Sequence, residues 1–337
     1  MRFVNGTGAV LAAAALALGI GHTRAADPVN IRIGWIAAPA NLAPILFAKQ
    51  GIAQHLGKSY TVEPIRFNGS PPMVTAIAAG ELDIALLAYS SFALAIENAK
   101  LDDLRAIADD FQSNVPGYFH EQYLVLKDSP IKTIEDLKGK VLATNGVGGA
   151  IDIALRVALR RHNLEDKRDL VIVEASLPSM KAMLAERKVD LIPGVIPFVY
   201  DPELARLARS LFNQGEVVGP AQTLLWEART PFLQQHRAAM VDFMEDVLRA
   251  RRFYFDPANH QEAVEIVSKF TKQPPSFFQD WLFTNKDSYR DPNGLPNLAA
   301  MQSNINLQKE LGFIKSGVDV AKYADLSVVK EAGTRLK

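Results

Sequence analysis

The chain contains no cysteine. That excludes a disulfide, a thiolate nucleophile, a cysteine-ligated metal and a lipid-modified N-terminal cysteine. It also lacks an excess of charge: 37 basic residues balance 37 acidic ones, so no global field would hold it on nucleic acid or on an anionic membrane. Histidine is scarce, and of His22, His55, His120, His162, His236 and His260 no two stand three or four apart as zinc ligands on a helix do. His120-Glu121 opens like a metalloprotease signature but has no second histidine, so it reads as a loop or surface pair. There is no Gly-x-Ser-x-Gly elbow and no glycine-rich phosphate loop ending in Gly-Lys-Ser or Gly-Lys-Thr. Nothing here calls for hydrolysis or phosphoryl transfer, and no cofactor or metal is expected.

What is present is an ordinary globular composition, 48% hydrophobic and 22% charged, at a length that suits two domains. Arg2, an apolar run over 9–20 and small residues around Thr23 to Ala26 read as a cleavable signal peptide, 1–26, cut after Ala25 or Ala26. The run is roughly half the ~20 residues that a bilayer span requires. An exported, unanchored periplasmic protein is the expectation, a monomer that meets the membrane only through a partner.

From Val29 onward short apolar runs alternate with helical patterns, which predicts an α/β fold with mainly parallel strands. Strands are expected over 30–35, 61–67, 82–87 and 104–108, with helices over 41–56, 70–79 and 90–98. The aperiodic stretch 112–121 reads as a crossing into a second region. There, strands over 122–126, 140–144, 170–173 and 189–192 alternate with helices over 133–136, 150–162, 177–187 and 197–211. After a break at 215–220, a strand over 221–227 returns the chain, and helices over 230–255, 257–270, 274–283 and 296–311 complete it. The domains expected are therefore a discontinuous lobe 1, 27–115 with 222–337, and an inserted lobe 2, 116–221.

Candidate ligand groups cluster where strands run into helices, the edge at which open α/β sheets bind ligands. Asn145, Gly148, Gly149 and Ala150 lie in a glycine turn before a helix, whose free amides and dipole favour an anion. A dinucleotide fingerprint is the competing reading, with Glu174 as ribose ligand, but Ile151 stands where its third glycine belongs; a structural tight turn is the other. Tyr89, Ser90 and Ser91 follow the third strand, where a hydroxyl could cap the helix, bind a ligand or do both. Asn41 and Ser70 hold equivalent positions, and Phe198 is one of several aromatics able to wall a pocket. Arginine is sparse in these loops, so an anion would rely on backbone amides and hydroxyls.

The order of motifs resembles the nitrate/sulfonate/taurine-type solute-binding proteins of ABC importers, within the thiamine-pyrimidine-synthesis-like superfamily. The residues that carry the resemblance are Ile31-Arg32-Ile33-Gly34-Trp35, Gly69-Ser70-Pro71-Pro72-Met73, Ala79-Gly80-Glu81-Leu82-Asp83-Ile84-Ala85 and Asp128-Ser129-Pro130-Ile131, and from Asp136-Leu137-Lys138-Gly139-Lys140 it continues through Ala182-Met183-Leu184 to Val189-Asp190. The resemblance implies a type II-like two-lobed binding protein that closes on its solute and docks on a membrane permease and its ATPase. It implies that loops 36–41, Ser70, 89–91, 145–150 and the segment around Pro197-Phe198 face the solute. The pyrimidine-synthesis enzymes of this superfamily use a cysteine-rich segment that this chain cannot supply, so a non-enzymatic binder is expected. The apolar loop Ile36-Ala37-Ala38-Pro39-Ala40 points to an organic anion bulkier than taurine, such as an aromatic one. An exported nucleotide-dependent oxidoreductase and a ligand-sensing partner of a membrane receptor are the alternatives.

Overall fold

The computed structural model describes residues 27–336; the segment read as a signal peptide lies outside them. The first region contains β1 (Val29–Trp35), β2 (Tyr60–Arg66), α1 (Ser70–Ala78), β3 (Ile84–Ala88), α2 (Tyr89–Glu97) and β4 (Leu104–Ser113). The second contains β5 (Gln122–Leu126), β6 (Val141–Thr144), α3 (Ala150–Arg161), β7 (Val171–Glu174), α4 (Leu177–Ala185), β8 (Ile192–Gly194), α5 (Pro202–Leu207), β9 (Ala208–Asn213) and α6 (Gln214–Val218). The chain then runs through β10 (Ala221–Arg229), α7 (Thr230–Gln235), α8 (Arg237–Phe255), α9 (His260–Thr271), α10 (Pro275–Phe278), α11 (Leu298–Glu310) and α12 (Ser327–Arg335).

One sheet has the order β2-β1-β3-β10-β4, so the returning strand β10 is inserted between β3 and β4 and runs antiparallel to both. Its two faces feed different apolar cores, because successive strand residues point to opposite sides. Ile84 and Leu86 of β3 face α8 with Trp226, Phe243 and Met244, whereas Ala85 and Leu87 face the cluster of Met73, Phe92 and Ile305 from α1, α2 and α11. Gly34 permits the close seat of α1, since a Cβ there would lie 2.7 Å from both Met73 Sδ and Leu82 Cδ1. In the second region β8-β5-β9 is antiparallel and β6-β7 parallel, linked by a parallel bridge between Leu142 and Leu191.

Four of the five strands of the first sheet run the same way, so it is mainly parallel as expected, whereas in the second region only β6-β7 is parallel and β8-β5-β9 is antiparallel. Two predicted helices are also corrected. Residues 41–56 form consecutive turns, bonded Ile45 N to Leu42 O and Ala48 N to Ile45 O; Pro44 lacks a donor and Gly51, at φ +76°, breaks the right-handed path. The stretch 197–211 holds a short 3₁₀ turn, then α5, then β9. Leu204, Leu207, Ala208 and Leu211 have helical spacing, but Ala208–Asn213 pairs instead with the edge of β5, and tertiary pairing outweighs so weak a local preference. The expected helix 230–255 is divided at His236, and α12 was not anticipated. Among the described residues no helix is long and apolar enough to cross a membrane.

Candidate functional site

A cavity of about 70 Å³ opens where the two sheets' connecting loops meet. The N-termini of α1 (Ser70), α3 (Gly149, Ala150, Ile151) and α4 (Leu177) all reach it, as does Ala88 before α2. Amides of a first helical turn have no intrahelical acceptor, and the helix dipole places partial positive charge there; Pro71, Pro72 and Pro178 carry no N–H, so α1 and α4 bring their dipoles but few donors, and α3 supplies most of the amides. Opposite them stand Phe111, Thr223 and Leu224 of the first sheet, Val195 and Ile196 after β8, Ser288, and Glu121 at the entry to β5.

The polar side chains around the cavity are committed to different degrees. Asn41 Oδ1 accepts from Ile36 N and Ala37 N at 2.9 and 3.1 Å, and its Nδ2 donates to Asp110 Oδ2 at 2.7 Å. Its amide therefore shapes the loop 36–41. Burial pushes the Asp110 carboxyl up to about 6 against the pull of Arg290 and Arg251. Ser70 Oγ accepts from Ala88 N at 2.9 Å, which leaves its hydroxyl proton available to a ligand. Asn145 Nδ2 reaches Asn68 O at 3.4 Å, from the turn before α3 to the loop before α1.

Glu121 differs from all of these. It is 6% exposed and its Oε2 is buried without a hydrogen-bond partner, while Ser113 and Gln214, uncharged, are the side chains that can hydrogen-bond the carboxyl and oppose the rise of its pKa. Burial pushes its carboxyl up to about 7.

The cavity adjoins an open groove of about 500 Å³ walled by Trp35, Phe198, Phe270 and Phe277, with the Arg66 guanidinium 5.9 Å from the Trp35 ring. Ile36, Ala37 and Leu177 line both the cavity and the passage towards that groove.

A family model described as the NMT1-like family matches residues 24–268. The chain belongs to the NMT1-like family. The alkanesulfonate-binding protein SsuA from Xanthomonas axonopodis pv. citri, bound to MOPS, is 18% identical at a TM-score of 0.68, over 89% of this chain and 99% of that one. The periplasmic nitrate-binding protein NrtA from Synechocystis PCC 6803 is 16% identical at 0.71, over 92% and 89%. A cysteine-to-serine variant of DSZB, described in its unmutated form as a desulfurization enzyme, in complex with biphenyl-2-sulfinic acid, is 11% identical at 0.61, over 91% and 99%. At these identities the likeness establishes the fold, and it is the two-lobed binding-protein fold expected from the sequence.

Of the candidate residues in this NMT1-like chain, Asn41, Ser70, Asn145, Gly149 and Ala150 line the cavity. Ser90 and Ser91 are not among its lining residues; both are buried and donate to the Gly148 carbonyl at 2.9 and 3.1 Å. Gly148 is itself spanned, its N–H donating to Asp152 at 2.9 Å, and at φ +86° it occupies the left-handed region. Tyr89 is buried at the start of α2, and Phe198 belongs to the outer groove. Glu174 accepts from Val147 N at 2.6 Å and so braces the glycine turn. Sequence reasoning missed Glu121, Leu177, Thr223 and Ser288. Glu121 stands in the sequence as an acidic residue heading the apolar strand Gln122–Leu126, but nothing there shows that its carboxyl lacks a counter-ion.

Proposed function

We propose that this chain is the solute-binding component of an ABC-type importer, capturing a small organic oxyanion in the periplasm and delivering it to a permease and its ATPase. The observation that carries the reading is the arrival of three helix N-termini, those of α1, α3 and α4, at one cavity between the two sheets. The amides of α3 hold an anion by hydrogen bonding and the dipoles of all three helices add to it, without a fixed cation. The oxyanion sits at Ser70 and the Ala150 and Ile151 amides, and the organic remainder extends past Ile36 and Leu177 into the groove of Trp35 and Phe198. The solved relatives support an organic oxyanion as the solute, since SsuA is described as bound to MOPS and DSZB as complexed with biphenyl-2-sulfinic acid.

Two observations weigh against a nucleotide-dependent enzyme. The amides of Val147 and Gly148 already donate to Glu174 and Asp152, so the glycine turn has little left for a diphosphate. Ile151 also stands where a dinucleotide fingerprint needs its third glycine.

The test is a thermal-shift screen of the mature protein against nitrate, methanesulfonate, benzenesulfonate, benzoate, MOPS and NADH, with calorimetry on each hit. A saturable shift with an organic oxyanion at one site per chain is the expected result. A shift with NADH alone overturns the reading in favour of an oxidoreductase. Loss of uptake of the bound solute in a deletion strain separates import from receptor signalling.

A further inference from the structure

Among the described polar side chains that line the cavity, Glu121 alone has a buried oxygen without a hydrogen-bond partner. Its Oε2 is buried and unpartnered, and the residue lines a cavity of only about 70 Å³ together with the N-termini of α1, α3 and α4. In so small a space one oxygen-bearing group meets both the helix amides and the carboxyl. An ionised Glu121 would there face an oxyanion across hydrogen-bonding distance with no basic side chain to offset it, an arrangement that like-charge repulsion forbids. A neutral carboxyl turns the conflict into a contact, since its O–H is a donor.

We propose that Glu121 holds the solute in its protonated form, donating its O–H to the oxyanion that the helix N-termini bind, so that each capture by an ionised Glu121 takes up one proton from solvent. The inference rests on the oxyanion reading above. No covalent bond changes; the proton enters from water and stays on the carboxyl for as long as the solute is bound. The groups facing Glu121 do not confuse the linkage. Tyr89 of α2 and Tyr123 of β5 are the titratable side chains against it, and burial keeps both protonated well above the relevant range. Ser113 of β4 and Gln214 of α6 are uncharged. His120 precedes it in the chain, and a His120 variant separates the two.

The same residue decides specificity. A solute whose head group carries an ammonium would need the ionised carboxylate and would release a proton on binding, so the two classes of solute give opposite signs.

The experiment uses a sulfonate, because a sulfonate does not titrate between pH 5 and 8.5 and any linked proton must be the protein's. The probe is benzenesulfonate or methanesulfonate, whichever binds more tightly to the full mature chain. Its Kd is measured by calorimetry across that range in buffer pairs of different ionisation enthalpy. Because free Glu121 titrates near 7, Kd is expected to rise by about tenfold per pH unit above that point. Proton uptake should approach one per site at pH 8.5 and vanish at pH 5. Glu121→Gln, which keeps an N–H donor, abolishes both the pH dependence and the uptake, whereas His120→Gln retains them. A pH-independent Kd without proton uptake overturns the proposal while leaving oxyanion capture intact, and proton release with tighter binding at high pH overturns it as well. Failure of every oxyanion to bind at any pH overturns the functional reading itself, and this inference with it.

Discussion

The guanidinium of Arg251, on α8, meets the carboxylate of Asp109, on β4, at 2.8 Å, and their side chains are 4% and 0% exposed. The carboxylate also accepts from Gln222 Nε2 at 2.8 Å and from Asp291 N at 3.0 Å. One buried charge pair thus ties together β4, β10, the longest helix and the loop that brings Ser288 to the cavity. Desolvating two ions costs about what their attraction returns, so the pair is not in itself a large stabiliser. Breaking it is another matter.

Replacing Arg251 with Met keeps the bulk of the stem and strands Asp109 with no counter-ion. The expected loss is about 3–5 kcal/mol in urea unfolding at neutral pH. Asp109→Asn together with Arg251→Met should recover a substantial part of it, because no charge is then left buried. A loss under about 1 kcal/mol for Arg251→Met alone would mean that water reaches Asp109 and the pair is not desolvated.

Much of this architecture could be read from residues alone, for identifiable reasons. Strand β5 is legible to the residue because Gln122 to Leu126 is an apolar run bounded by polar loops, and α3 to within one residue because its glycine turn marks the start and His162 caps the end. The turns over 41–56 escaped notice because apolar spacing there resembles a helix, while Pro44 and Gly51 act on backbone geometry that spacing does not report. Strand β9 was hidden for a different reason: its strand character comes from the free edge of β5, some 80 residues earlier in the chain. The same limit governed the site. Ser70, Gly149 and Ala150 follow from the rule that strand-to-helix turns gather at one sheet edge, whereas Glu121 matters through what is absent around it, and sequence does not show absent partners.

Ser90 and Ser91 make a second test possible, because both hydroxyls converge on one carbonyl, that of the buried Gly148. A carbonyl oxygen satisfied twice tolerates the loss of one donor but not of both. Ser90→Ala and Ser91→Ala should each cost about 0.5–1 kcal/mol, and the double variant about 1–2 kcal/mol more than their sum. Denaturant unfolding of the four proteins closes the cycle. Strict additivity would show that a water replaces the missing hydroxyls and that this contact between α2 and the glycine turn is wet.

Glu121 also predicts how the ligand-free fold responds to pH, independently of any solute. Its carboxyl goes from an ordinary value of 4.5 in the unfolded chain to about 7 in the folded one. The native state therefore holds a proton that the unfolded state has already lost, so the stabilising contribution is complete below about 4.5 and disappears as pH rises through 7. Each tenfold gain in proton affinity on folding is worth about 1.4 kcal/mol, so the whole contribution amounts to roughly 3 kcal/mol. Other groups titrate over the same interval, and Glu121→Gln isolates the one of interest because it stays neutral throughout. The stability of Glu121→Gln minus that of the parent chain is expected to grow by about 2–3 kcal/mol between pH 5 and pH 8, measured by urea unfolding without solute. If that difference stays flat, Glu121 ionises in the native cavity at its ordinary pH, and the unpartnered oxygen is then solvated by water that enters from the groove.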